Sequence, residues 1–131
     1  MKYSCCDELR RQVVGNHPTL NGIDFLEVID HTAPSEAERQ RKLELHFVKP
    51  LGALTLASAN IRIEGGERVT TFHVLSVVVG GGFSANIVTV EVDRPGDFST
   101  YTLRLVTGPL NDAVPDGIDP QLAAIDFSFK V

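Results

Sequence analysis

The sequence predicts an all-β protein, an immunoglobulin-like antiparallel β-sandwich of about seven strands with a short N-terminal helix. Three observations predict this fold. Apolar and polar residues alternate with a period of two in most segments after residue 22. Glycine- and proline-containing turn signals separate these segments. A tyrosine-centred motif near residue 101 is typical of the corner of immunoglobulin-like domains.

The helix is predicted over residues 4–14, the one segment with helical periodicity. Ser4 precedes Asp7 by three residues, which resembles the start of a capping box. Three apolar residues fall on one helical face and are expected to be buried: Cys6, Leu9 and Val13.

Five segments show the strict alternation of a half-buried strand. They are residues 42–49, 60–64, 88–93, 101–105 and 125–131. Two further segments are less regular. Residues 23–30 change phase around Leu26 to Val28, which predicts a β-bulge there. Residues 72–79 are apolar on both faces, which predicts a central strand.

The corner motif runs from Asp97 to Leu103 and has the form Asp-x-small-x-Tyr-x-Cys, with Leu103 in the cysteine position. In such corners the tyrosine hydroxyl bonds to nearby backbone, so we expect Tyr101 to be buried and bonded in this way. An inter-sheet disulfide is excluded because Leu103 replaces the cysteine. In the alternative interpretation, Tyr101 is one more inward-facing strand residue.

Composition indicates a single soluble domain, with 43% hydrophobic and 22% charged residues in a chain of 131. The net charge of −5 argues against a nucleic-acid partner that binds through phosphate neutralisation. No run of about 18 apolar residues exists, so membrane insertion is not expected. The polar start, MKYSCCDE, lacks the apolar stretch of a signal peptide, which predicts a cytoplasmic protein.

No catalytic residue, cofactor site or metal site is predicted. The four histidines are scattered along the chain without the short spacing of zinc ligands. Cys5 and Cys6 are adjacent, a spacing that makes a disulfide difficult, so two free thiols are expected. The acidic stretch after Asn111 lacks the ligand order of a calcium loop. Asp119 and Pro120 instead predict the start of a short helical turn that ends at Ala124.

Two loops are predicted to be mobile and available for contacts. The first is the hydrophilic stretch 32–41, and the second is the glycine-rich hairpin tip at 80–85. The candidate interaction residues in these loops are Thr32, Glu36, Arg39, Gly81 and Phe83.

Several longer stretches share a family resemblance. They are SCCDE from residue 4, HPTLNGIDFLEVID from residue 17, NIRIEGGERV from residue 60, PGDFSTYTLRLV from residue 95 and DPQLAAIDFSFKV from residue 119. Together they resemble the N-terminal region of baseplate assembly proteins of contractile injection systems, which are phage-tail-like particles. The resemblance covers most of the chain.

The resemblance implies a structural protein–protein interaction module with other baseplate subunits as partners, made in the cytoplasm and incorporated into a phage-tail-like particle. It implies no catalytic residue. Because family members are much longer, residues 1–131 are expected to be one immunoglobulin-like module, with a helix over 4–14 and a sandwich over 22–131, from the N-terminal part of a longer protein. Alone, the module is expected to be a monomer or a weak dimer. The alternatives are a surface or secreted immunoglobulin-like module that binds glycans or other ligands, and a small hydrolase.

Overall fold

Strands dominate the computed structural model, which describes residues 2–29, 41–52, 54–67, 72–80, 85–94, 96 and 99–129. These residues contain eight strands. They are β1 (Lys2–Ser4), β2 (Ile23–Ile29), β3 (Lys42–Phe47), β4 (Ile61–Gly65), β5 (Val74–Val79), β6 (Ile87–Val92), β7 (Tyr101–Leu105) and β8 (Ala124–Phe127). One α-helix, α1 (Glu8–Asn16), and two 3-10 turns, Ser58–Asn60 and Pro120–Leu122, complete the described elements.

The strands form two antiparallel sheets. The larger sheet has the order β1-β2-β3-β6-β5 and the smaller has the order β4-β7-β8. In the larger sheet Leu45 pairs with Leu26 on one side and with Val88 on the other, so the apolar residues of the three central strands share one face. In the smaller sheet Leu103 pairs with Ile63 and Ile125.

The hydrophobic core consists of inward-facing residues from both sheets. Alternation explains it directly, because residues two apart on a strand point to the same face. Buried residues of the larger sheet include Leu26, Leu43, Leu45, Phe47, Val88, Val90 and Val92. Buried residues of the smaller sheet include Tyr101, Leu103, Leu105, Ile125 and Phe127. The all-β class and the sandwich-like arrangement are therefore confirmed.

The N-terminal prediction was wrong in its boundaries. Residues 2–4 form β1, and the helix begins at Glu8 rather than Ser4. Asp7 is the N-cap, and its carboxylate accepts a hydrogen bond from the backbone N–H of Arg10 at 3.1 Å. The predicted apolar face is not the buried one: Val14 is buried, whereas Cys6, Leu9 and Val13 are exposed.

Two details of the strands also differ from expectation. The β2 bulge is present but lies between Ile23 and Phe25, three residues before the predicted place. It puts Ile23 and Leu26 on the same buried face. β5 is not a central strand, because it pairs only with β6 among the described residues. The apolar residues on its outer face are exposed rather than buried.

Turns and caps fit the sequence closely. Asp119 caps the 3-10 turn Pro120–Leu122, and its carboxylate accepts from the backbone N–H of Gln121 at 2.9 Å, as predicted. Gly65 has a φ of +101°, and a Cβ at this position would lie 2.8 Å from the carbonyl oxygen of Thr100. Glycine is therefore required where β4 ends against β7.

Candidate functional site

The most exposed apolar strand in the described part of the chain is β5. Leu75, Val78 and Val79 expose 54%, 58% and 42% of their surface. Val78 pairs with Thr89 on the outer face of the sheet, whereas Val77 pairs with the buried Val90. The strand VLSVVV contains no charged residue and no proline. β5 pairs with no second strand in the described part of the chain, and it lacks the side chains that usually protect an edge strand from pairing.

The start of β5 is fixed by Asp93. The backbone N–H of His73 donates to the Asp93 carboxylate at 3.1 Å, and the backbone N–H of Asp93 donates to the carbonyl oxygen of His73 at 3.0 Å. The hydrogen bond from the His73 backbone, assisted by the neighbouring Arg94 guanidinium, holds the pKa of Asp93 below its usual range. The carboxylate stays ionised near neutral pH and keeps this end of the edge in place.

A groove of about 410 Å³ lies between the edge of β4 and the start of β5. Among the described residues, β4 and β5 are edge strands of the two different sheets. Its lining combines apolar and polar groups and contains no carboxylate; it comprises Ser58, Ala59, Ile61, Arg62, Ile63, Phe72, His73, Val74, Val106 and Pro109. Arg62 pairs with Asp112 at the rim and also donates to the carbonyl oxygen of Pro109.

The corner residue Tyr101 is buried, with 1% of its surface exposed. Its ring packs edge-on against Phe72 and Phe129, with centroids 5.3 Å and 5.2 Å away. Gly96 permits this cluster, because a Cβ there would lie 2.8 Å from the Tyr101 ring and 2.4 Å from Phe129. The hydroxyl bond expected of a corner tyrosine stays a prediction, and Asp97 lies outside the described residues.

The predicted interaction loops fall largely outside the described residues. This applies to Thr32, Glu36, Arg39, Gly81 and Phe83. The exposed apolar strand that the structure does describe is β5, and the prediction that it is a central strand was wrong. The apolar composition of a strand does not reveal whether it has one hydrogen-bonded neighbour or two.

A cluster of ligand-bearing side chains lies on the outer face of the larger sheet. Oxygen atoms of Glu27 and Glu44 and a ring nitrogen of His46 all lie within 4.8 Å of one another. Glu27 and Glu44 are direct cross-strand partners, and His46 follows two residues later on β3. The expectation of no metal-ligand set rested on short sequence spacing, and these ligands come from two strands separated by the segment 30–41.

The two cysteines differ from expectation. The structure joins Cys5 and Cys6 in a disulfide, so the prediction of two free thiols was wrong. The prediction rested on the adjacency of the two cysteines and on a helix over residues 4–14, but both residues precede α1, and Cys6 has a φ of +68°. Cys5 is buried, and its Sγ lies 3.4 Å from the carbonyl oxygen of Ala124.

A buried ion pair fixes α1 to the C-terminal part of the chain. Arg10 donates to Asp119, whose side chain is fully buried, while Arg10 remains 33% exposed. Burial alone raises the pKa of Asp119, but the hydrogen bonds from Arg10 and from the Gln121 backbone outweigh it. The pKa of Asp119 therefore lies below its usual range, and the group is ionised near neutral pH.

None of the helices in the described residues combines the length and apolar character needed to span a bilayer. No curated protein and no solved structure matches the chain. Residues 1–127 match the family model described as phage baseplate assembly protein, N-terminal domain. This match confirms the resemblance seen in the sequence motifs. The chain therefore belongs to the N-terminal domain family of phage baseplate assembly proteins and has a structural role in the baseplate.

Proposed function

We propose that this domain is a protein–protein interaction module of a baseplate subunit in a contractile, phage-tail-like injection system. The observation that carries the proposal is the uncharged, exposed edge strand β5 on a domain of a baseplate family. Its partner is another baseplate subunit of the same particle. The domain is the N-terminal part of a longer protein that is made in the cytoplasm and incorporated into the particle.

The edge of β5 suits the addition of an extended segment from the partner. An added strand would satisfy the backbone groups of β5 that face away from β6, and main-chain hydrogen bonds would supply affinity. The register shift between Val74 and Ser76 leaves Ser76 to Val79 as a regular stretch for this pairing. Val78 would supply apolar contact area beside the added strand.

The groove beside β4 supplies a place for partner side chains. Ile61, Ile63 and Val74 give it apolar walls, so apolar side chains of the partner would be buried there. The groove lining has no carboxylate, although the whole chain carries a net charge of −5. An acidic or neutral partner segment would therefore meet less repulsion here than elsewhere on the surface.

The remaining surface gives less support to the glycan-binding alternative. Sugar-binding modules commonly present an aromatic platform, and the large apolar residues with the greatest exposure in the described parts of the chain are all aliphatic. For the isolated domain, without a partner segment on the β5 edge, we expect a monomer or a weak dimer rather than a stable oligomer.

The test introduces charge on the edge in the complete subunit, expressed in a strain that produces particles. Leu75→Lys and Val78→Lys each place an ammonium group on β5, where pairing with a partner would bury or crowd it. We expect capture of other baseplate subunits by the tagged protein to fall at least about tenfold, a loss of about 1.4 kcal/mol or more. Particle counts in electron micrographs should fall with it.

Leu9→Lys is the matched control, because Leu9 is 72% exposed but lies on α1. It should leave subunit capture and particle number unchanged. Full capture and normal particles in both β5 variants would refute the role of this edge. Normal, active particles after deletion of residues 1–131 would refute the interaction function of the whole domain.

A further inference from the structure

We infer that Glu27, Glu44 and His46 form a binding site for a divalent transition-metal ion such as Zn²⁺. This inference is independent of the proposed partner surface on β5. The three side chains lie on the outer face of the larger sheet, with ligand atoms within 4.8 Å of one another. Two neighbouring strands, β2 and β3, hold them in fixed register.

The first supporting observation is the direct cross-strand pairing of two carboxylates. Glu27 and Glu44 stand directly opposite each other, and like charges in this position destabilise a sheet. Glu27 forms no ion pair among the described residues. Lys2 is the other cross-strand neighbour of Glu27. Its ammonium group lies over the Phe25 ring, 4.1 Å from the ring centroid. A bound cation would remove the repulsion.

The second, independent observation concerns the histidine. The Nε2 atom of His46 is buried and has no hydrogen-bond partner. It lies 3.5 Å from a carboxylate oxygen of Glu44, but the two atoms do not have hydrogen-bond geometry. Phe25 stacks on the imidazole at 4.0 Å with an interplanar angle of 16°, which holds the ring in this orientation. A buried ring nitrogen without a partner calls for an explanation, and metal ligation provides one.

The donor set indicates the class of ion. One imidazole nitrogen and two carboxylate oxygens suit Zn²⁺ and related divalent ions, whereas Mg²⁺ and Ca²⁺ prefer oxygen alone. Bonds of about 2.0–2.2 Å in a tetrahedral site place two ligands of one ion about 3.3–3.6 Å apart, so side-chain movements of at most about 1.5 Å would close the site. Three protein ligands leave a fourth position for water or for a donor from another molecule.

Calorimetric titration of the purified chain with Zn²⁺ alone tests the inference. We expect one ion per chain, and with Co²⁺ in its place the d–d absorption bands of a bound ion. Mg²⁺ should neither bind comparably nor displace Co²⁺. Glu44→Gln keeps the shape of the side chain but removes its charge, and we expect it to weaken Zn²⁺ binding at least tenfold. Glu27→Gln and His46→Gln should have effects of similar size.

Two control variants remove a carboxylate and an imidazole that lie outside the proposed site. Glu91→Gln neutralises a carboxylate on the same outer face that pairs with Arg41, and His73→Gln removes a histidine outside the cluster. Both should bind Zn²⁺ as tightly as the unmodified chain, and circular dichroism of each metal-free variant checks its fold. Absence of Zn²⁺ binding by the unmodified chain would overturn the inference. So would unchanged affinity in Glu27→Gln and Glu44→Gln, because these two variants alter no packing that folding requires.

Discussion

The two edges of the larger sheet are built differently. At one edge β1 has only three residues, begins with a charged lysine, and is tied to the C-terminal segment by the Tyr3 hydroxyl, which donates to the carbonyl oxygen of Ser128 at 3.1 Å. At the other edge β5 has six residues, no charge and three exposed aliphatic side chains. Short length and charge are common protections of edge strands, and only β1 has them.

This difference indicates which side of the domain is available for partners. The sequence continues from β1 into α1, which the buried Asp119 holds against the Pro120–Leu122 turn through Arg10. β1 and the helix that follows it are therefore both tied to the C-terminal part of the chain. The β5 edge and the adjoining groove are open in the described residues, and the two sheets both end there with an unpaired strand.

The largest expected difference is between a central strand and the open edge. Leu45 is fully buried in β3, so Leu45→Ala should lower the free energy of unfolding by about 2–5 kcal/mol through lost burial and a cavity. Val78→Ala, which removes mostly exposed surface, should lower it by less than about 0.5 kcal/mol. Urea denaturation of the purified chain measures both. Equal losses would show that the outer face of β5 is covered in solution and would contradict its description as an exposed edge strand.

The next effect concerns the ion pair that holds α1 near the protected edge. Asp119→Asn keeps an acceptor for the Gln121 N–H but removes the charge that Arg10 contacts. We expect a loss of about 1–3 kcal/mol near neutral pH, because a charged hydrogen bond to a buried group is lost. Denaturation at several pH values provides the measurement.

The lowered pKa of Asp119 determines how this stability difference changes with pH. The folded-state pKa of Asp119 is lowered from the ordinary 3.8, so its ionised form contributes stability that is present above that value. The contribution is lost as the pH falls through the lowered folded-state pKa. The difference between the unmodified chain and Asp119→Asn should therefore be constant from pH 7 to about pH 5 and shrink on further acidification. Asp112→Asn, at an exposed ion pair, should show a smaller difference. A pH-independent difference would contradict the assignment.

The fold was largely predictable because alternation is a local signal. The patterns around Leu43, Val90 and Leu103 each define a strand and its buried face without knowledge of neighbours. β1 was missed because three residues are too few to show a period, and it exists only through pairing with β2. The position of β5 at an edge was mispredicted for the same reason, since strand order depends on long-range pairing.

The candidate sites were less predictable than the fold. Glu27 and His46 are separated by 19 positions, so their proximity follows only from the β2–β3 register. Tyr101 was found because its motif is local. Its buried ring was foreseeable, but the surrounding phenylalanines come from two distant places in the chain, Phe72 from one and Phe127 and Phe129 from the other.

The smallest expected effect compares the two tyrosine hydroxyls. The corner motif predicts a bond from the buried Tyr101 hydroxyl to nearby backbone, so Tyr101→Phe should lower the free energy of unfolding by about 1 kcal/mol. Tyr3→Phe removes a half-buried bond that ties β1 to Ser128, and its cost should be at or below about 0.5 kcal/mol, since water can replace the lost partner. Both replacements keep the ring, so aromatic packing is matched and urea denaturation reports the hydroxyl alone. An unchanged free energy of unfolding in Tyr101→Phe would contradict the corner interpretation. A larger cost for Tyr3→Phe would show that the protected edge depends on this one bond rather than on its shortness and charge.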